Sequence, residues 1–389
     1  MIYLLILAYT IFLVYKYDFK KNQDSLNFHF KCLLVISVLI GGLSYRLGID
    51  TLRYEYMYDT FNIHQQYDYA DFLGSCNEPI WYFLQKILKS IGAPFWVFRT
   101  VVLGFVNTTI FWFIRKYSPA VFFSVLVYFF YSYLDFSFQV TREAMAIAFT
   151  LIGLDRFLNI KKKSLGLLRY MFWMSIAILC HHFAFIAIVV PLATYIRNWK
   201  WFIGVTVLLF FMSAYLNVVL SNVGALDDNL SNTMSNYLGS EKQGYKGGMS
   251  FVMLFKNLIM SVLPIVLCLF DIKFQKNSEA FMGLTLAYVI ASVSSMIFMG
   301  IMYRLCNYFI IPMAVTMGGF FSSVVVNRSK VNIYKNQIIR TFLIIWLFFA
   351  PMYTLFKSRL WPMYIPYSSV IFETENGTRE SLYRSMGEN

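Results

Sequence analysis

The sequence predicts an all-α fold: a polytopic integral membrane bundle of about twelve transmembrane helices, forming one domain over residues 1–389. Three observations predict it. Hydrophobic residues make up 59% of the chain and charged residues 14%, against about 45–50% and 25% in a soluble domain. The mean hydropathy is +0.59. Apolar runs of about 15–22 residues recur along the chain, each bounded by charged or turn residues. One aqueous core could not hide this much apolar surface.

The elements follow in order. The opening run, MIYLLILAYTIFLVYKYDFK, lacks a basic leader and a small-residue cleavage site, so it reads as a first span. The spans are expected at 2–17, 31–45, 94–115, 119–135, 140–160, 167–181, 183–197, 200–220, 250–271, 279–300, 304–326 and 338–357. A polar insert, SYRLGIDTLRYEYMYDTF through NEPIW, interrupts the pattern at 44–79. After it, Ile80, Trp81, Leu84, Ile87, Leu88 and Ile91 share one helical face, with Gln85, Lys86, Lys89 and Ser90 opposite. Pro79 suits the first turn, with Asn77 or Glu78 as cap. About a dozen residues cannot cross a bilayer, so this helix should lie in the interface and complete an insert over 44–93. A second long connection, 221–250, is rich in Asn, Ser and Gly and reads as a loop.

The net charge of +13 is assigned to topology, not to a nucleic-acid partner. Lys16, Lys20, Lys21, Lys31, Arg115, Lys116, Lys161–Lys163, Arg197, Lys200, Lys273, Lys276, Arg328, Lys330 and Lys335 fall in alternate loops. The positive-inside rule puts that set in the cytoplasm and the 44–93 insert and 221–250 outside. Five scattered cysteines without a CxxC imply no disulfide framework and no zinc knuckle.

Ionisable residues within spans cost roughly 2.5–3.5 kcal/mol on insertion scales, so they mark candidate sites. Arg99, Arg142, Glu143, His181, His182 and Arg304 all fall at the predicted outer ends of their spans. Asp155 and Arg156 fall at an inner end. In QVTREAMAIAF, Gln139, Arg142, Glu143 and Ala146 share a helical face, with Asp135 or Ser137 as cap. Snorkelling to the interface is the plain alternative for Arg142 and Arg304. Adjacent histidines splay apart on a helix, and His181 and His182 have neither an HxxxH spacing nor a nearby carboxylate. No metal is therefore expected, and a proton-transfer role suits them better. Together Arg46, Arg53, Arg99, Arg142 and Arg304 would crowd positive charge on one side. A bound phosphate is the natural complement, because the guanidinium fork pairs bidentately with its oxygens.

At these residues the chain resembles the bacterial polysaccharide repeat-unit polymerases of the EpsG/Wzy-like group. The resemblance rests on YRLGIDTLRYEYMYDTF, NEPIW with its helix, TREAMAIAF, CHHFAF with Pro191, and MYRLCNYFIIP, and covers roughly 44–312. It implies a multi-pass glycosyltransferase of the bacterial plasma (inner) membrane whose active site faces the periplasm or exterior. Its donor and acceptor would be oligosaccharides on undecaprenyl diphosphate. Membrane lipids and a chain-length-regulating membrane protein would be further partners, with no cofactor, no metal and no nucleic acid. Such chemistry would use Arg46, Arg142 and Arg304, with Arg53 and Arg99 behind them, on the diphosphate. A base would come from Glu78, His181, His182 or Asp50. Three alternatives stay open: a lipid-linked oligosaccharide flippase, an acyltransferase using a histidine, and the related O-antigen ligase.

Overall fold

The computed structural model describes residues 2–61, 78–196, 258–270, 278–295, 299–326, 333–357, 361–373 and 376–385. The expected span at 200–220 and the loop at 221–250 lie outside the described residues. Every named element is helical, and among the described residues the only β pairing is isolated bridges, such as Ser44 to Ser369.

The chain clusters into two compact units, Met1–Ile188 with Pro351–Asn389, and Val189–Ala350. The first contains α1 (Ile2–Phe19), α2 (Leu26–Gly42), α3 (Thr51–Asp59), α4 (Pro79–Ser90), α5 (Phe95–Tyr117), α6 (Val121–Phe138), α7 (Thr141–Leu158) and α8 (Lys163–Cys180). Within it α5 packs on α2 and α7, and α7 on α8. The second unit holds α9 (Leu263–Phe270), α10 (Ser278–Ser295) and α11 (Met299–Val326), with α10 and α11 packed along their lengths. The helix α12 (Ile333–Lys357) leads to the tail, which ends in α13 (Gly377–Ser385).

Among the described residues, five helices are long and apolar enough to cross a membrane: Ile2–Phe19, Phe95–Tyr117, Val121–Phe138, Lys163–Cys180 and Met302–Val325. Shorter apolar helices stand at Leu26–Gly42, Leu258–Leu269, Glu279–Ser295 and Ile338–Tyr353. α7 falls where 140–160 was expected but carries Arg142, Glu143, Asp155 and Arg156. The expected span 183–197 is not a continuous α-helix. The backbone becomes extended at His181, then runs through a 3₁₀ segment, His182–Val189, and one α turn, Val190–Ala193.

α4 forms where the amphipathic pattern places it, with Pro79 in its first turn. Two details differ. Glu78 stands at the N-cap position but makes no capping hydrogen bond. Gln85 is buried beside Trp81, not on a solvent face, while Phe83, Ile87 and Ile91 are exposed. Glu78, Trp81 and Gln85 recur at three and seven residues, so the inner face of α4 is partly polar.

Two close approaches fix the insert. Gly48 has φ +88°, a region that favours glycine, and a Cβ there would collide with the Phe138 carbonyl at the α6–α7 corner. Its N–H donates to Met363 O at 3.0 Å and its own carbonyl accepts from the Tyr383 hydroxyl at 2.6 Å. Gly48→Ala should therefore cost roughly 2–4 kcal/mol. Thermal unfolding of the purified protein, compared with Gly92→Ala, checks this. Gly92 also has positive φ but has open space around its Cβ.

The described residues of the tail are hydrogen-bonded at several points to the end of α2, to the insert and to the segment between α6 and α7. Tyr45 N–H donates to Ser368 O at 2.9 Å and Val370 N–H to Leu43 O at 2.9 Å. Arg379, 1% exposed, donates to the carbonyls of Pro362 and Pro366. The Tyr364 hydroxyl donates to Gln139 Oε1 at 2.5 Å, just ahead of α7.

Candidate active site

The site is built where three segments far apart in sequence meet. Glu78 opens α4, Arg142 sits in the first turn of α7, and His181 follows the last residue of α8. Helix ends suit this work: the chain turns there, and a side chain can leave the helix axis toward a neighbour. α4 packs against α8, which brings the start of one to the end of the other.

Glu78 is the hub. It is 3% exposed, and both its oxygens are engaged. Oε2 accepts from Arg142 Nη1 at 2.5 Å, and Oε1 lies 2.5 Å from His181 Nδ1. His182 Nδ1 lies 3.4 Å from Oε1, in electrostatic reach but without hydrogen-bond geometry. Burial pushes the Glu78 pKa up. The opposing interactions with His181, with His182 and with Arg142 outweigh burial and hold it well below the usual carboxylate range. The carboxylate is therefore ionised throughout the physiological range.

With Glu78 ionised, His181 donates from Nδ1 to Oε1. His181 is buried, whereas the side chain of His182 is 45% exposed.

Arg142 is the second centre of the cluster. Its guanidinium lies 5.0 Å from the centroid of the buried Tyr54 ring, a cation–π arrangement. Tyr54 packs on Trp81 at 5.8 Å, and Trp81 packs edge-on against Phe98 at 4.9 Å. Sequence reasoning missed Tyr54. Its signal was faint: one tyrosine of 28 in the chain. Only its placement on α3 sets it apart.

The expectation that no carboxylate lies near the histidines is overturned. Glu78, 103 residues from His181, is in contact with it. Glu78, His181 and His182 each offer one ligand atom, all within 4.8 Å of one another. Two imidazoles and a carboxylate have the composition of a three-ligand cation site. Arg142, bound to the same carboxylate, already supplies positive charge there.

Arg46 does not join the cluster but pairs with Glu380 of the tail at 2.8 Å. Arg53 is exposed on α3. Arg99, 4% exposed, donates to the carbonyls of Gly42 and Ser44 and so closes the C-terminus of α2, a structural role. Asp50 stands at the N-cap position of α3 and is half-buried. Arg304 belongs to the second unit, within α11. Within the first unit Arg142 pairs in the cluster, Arg46 pairs with the tail and Arg99 with helix-end carbonyls. Neither Asp135 nor Ser137 caps α7, whose N-cap position is Val140. Asp155, at the far end of α7, pairs with Lys116 at 2.5 Å and Tyr117 at 2.8 Å.

Comparison with curated proteins and with solved structures found no match. The EpsG family model matches residues 27–369. That match contains α2 from its second residue, α3 through α12, the site and the first part of the tail. The chain belongs to the EpsG family and is a transmembrane protein of polysaccharide biosynthesis.

Proposed function

We propose that the chain is a membrane glycosyltransferase that polymerises oligosaccharide repeat units carried on a lipid diphosphate, undecaprenyl diphosphate by resemblance. The convergence of Glu78, Arg142, His181 and His182 carries this reading, with Glu78 bonded at 2.5 Å to both His181 and Arg142. It supplies the two things the reaction needs, a proton acceptor and a fixed cation.

In this reading His181 Nε2 takes the proton of the acceptor hydroxyl as that oxygen bonds to the anomeric carbon of the donor. The bond from that carbon to the diphosphate oxygen breaks, and the diphosphate leaves with the electron pair. Arg142 stabilises the developing charge. Its side chain is 22% exposed and only Nη1 is used on Glu78, so a guanidinium with five N–H groups retains donors for an anion. Glu78 fixes the His181 tautomer and balances its charge after proton transfer, as a carboxylate does for a base histidine. Glu78 is not itself the base, because a carboxyl held so far below neutrality is a poor proton acceptor. His182, more exposed, faces the incoming acceptor. The site lies on the external side of the plasma (inner) membrane by the charge pattern of the loops. Arg304 remains a second candidate for diphosphate contact.

Glycan sizing in the source strain tests the reading. His181→Ala should remove long chains and leave single repeat units at the surface, with the protein still in the membrane. Loss of all surface glycan would instead favour a flippase or a ligase, and chains of normal length would end the assignment of His181.

A further inference from the structure

Arg46 differs from the other predicted arginines. Its backbone has φ +47°, a sparsely populated region for a residue with a Cβ, of the kind found at ligand-binding and switch positions. Its guanidinium makes one ion pair, Nη2 to Glu380 Oε2 at 2.8 Å, and lies 5.9 Å from the Tyr383 ring. Its Nε is buried without a hydrogen-bond partner among the described residues. Both members of the pair are partly exposed, at 26% and 21%. Arg379, one residue before Glu380, lies within electrostatic reach and repels Arg46. The half-buried Glu55 carboxylate also lies within electrostatic reach of Arg46.

We propose that Arg46 is a second phosphate-binding position, occupied in the ligand-free protein by the Glu380 carboxylate, which the diphosphate of a lipid-linked substrate displaces. The inference rests on the polymerase reading, in which donor and acceptor each carry a diphosphate and Arg142 serves one of them. Spacing supports it. Arg46 precedes Tyr54, the partner of Arg142, by eight residues, the last four helical. The two positions on the chain are thus at most about 20 Å apart. In the reaction proposed, the acceptor diphosphate is separated from the reacting hydroxyl by its own saccharide unit, so two separated anion positions are required. Displacing Glu380 also frees one tie of α13. Tyr383 still donates to Arg46 O at 3.2 Å and Gly48 O at 2.6 Å.

The test uses the full chain in lipid nanodiscs, with inorganic pyrophosphate and undecaprenyl diphosphate as probes. Removing a competing, partly exposed ion pair should tighten binding about two- to fivefold in Glu380→Gln. The gain should vanish in Glu380→Gln combined with Arg46→Gln. In the wild-type protein, saturating pyrophosphate should speed tryptic cleavage after Arg384 in α13. A Glu380→Gln protein that binds both probes no more tightly than wild type overturns the proposal, as does cleavage unmoved by pyrophosphate. Tightening for pyrophosphate but not for the lipid assigns the position to free phosphates and overturns its substrate role. The polymerase reading fails separately: long glycan chains retained in a strain from which the whole chain is deleted would remove it and leave the binding result at Arg46 intact.

Discussion

Replacing Glu78 with alanine should reduce polymer formation about 10²–10⁴-fold, the range lost when a base is no longer held and tuned for proton transfer. The change removes the shared partner of Arg142 and His181 at once. It leaves a guanidinium and an imidazole facing each other in a buried site. Loss of one member of a buried pair typically costs about 3–5 kcal/mol, so thermal stability should fall as well. Glu78→Gln separates the two effects. The amide keeps the shape and can still accept from His181, but it cannot balance the imidazolium formed on proton transfer. Activity should drop much further than stability, and chain length by gel with melting temperature in the same preparation measures both. The pH dependence has a definite sign. The folded carboxyl is held below its unfolded value of about 4.3. The stability it contributes is therefore present above that pH and is lost as pH falls through the lower, folded value. Wild-type melting should not change on account of Glu78 between about pH 8 and 5 and should fall below about pH 4. Glu78→Gln should flatten that fall, and a variant that loses stability below about pH 4 as steeply as the wild type would refute the assignment.

Arg142→Ala should be comparably severe, losing about 10²–10³-fold in turnover if the guanidinium neutralises a developing diphosphate. Arg142→Lys is the sharper variant. An ammonium keeps the charge but not the fork that bridges Glu78 and an anion at once. Lysine should therefore restore membrane levels and stability while recovering only a small part of the activity. Kinetics on a purified lipid-linked substrate should show the defect mainly in the catalytic rate, because a developing charge is strongest in the transition state. A lysine variant with full activity would reduce Arg142 to a structural ion pair. Tyr54→Leu should weaken the same arginine more mildly, since it removes the ring beneath the guanidinium but no formal charge.

The chain by itself determined the class of fold and narrowed the candidate residues to a short set of polar groups. Apolar runs set most helices within a few residues, because burial in lipid or protein demands an apolar surface and a helix satisfies its own backbone. The same physics exposed exceptions: Arg142 and His181 stood out as polar groups at the ends of apolar runs, and Glu78 as a candidate cap of the amphipathic helix. The continuous α-helix expected at 183–197 failed because an apolar composition does not separate an α-helix from the tighter 3₁₀ turns of His182–Val189. Tertiary structure alone decided which of these residues meet. Periodicity reports faces over a few turns, and nothing local in the sequence relates Glu78 to His181 across 103 residues. Only the packing of α4 against α8 and of α7 against α8 does so. It also divided five arginines of identical chemistry into different roles: Arg142 on a carboxylate in the site, Arg99 on the end of a helix, and Arg46 under the tail. Arg53 is left exposed, and Arg304 belongs to the other unit. A guanidinium's role is set by the acceptors around it, and those come from segments distant in the chain.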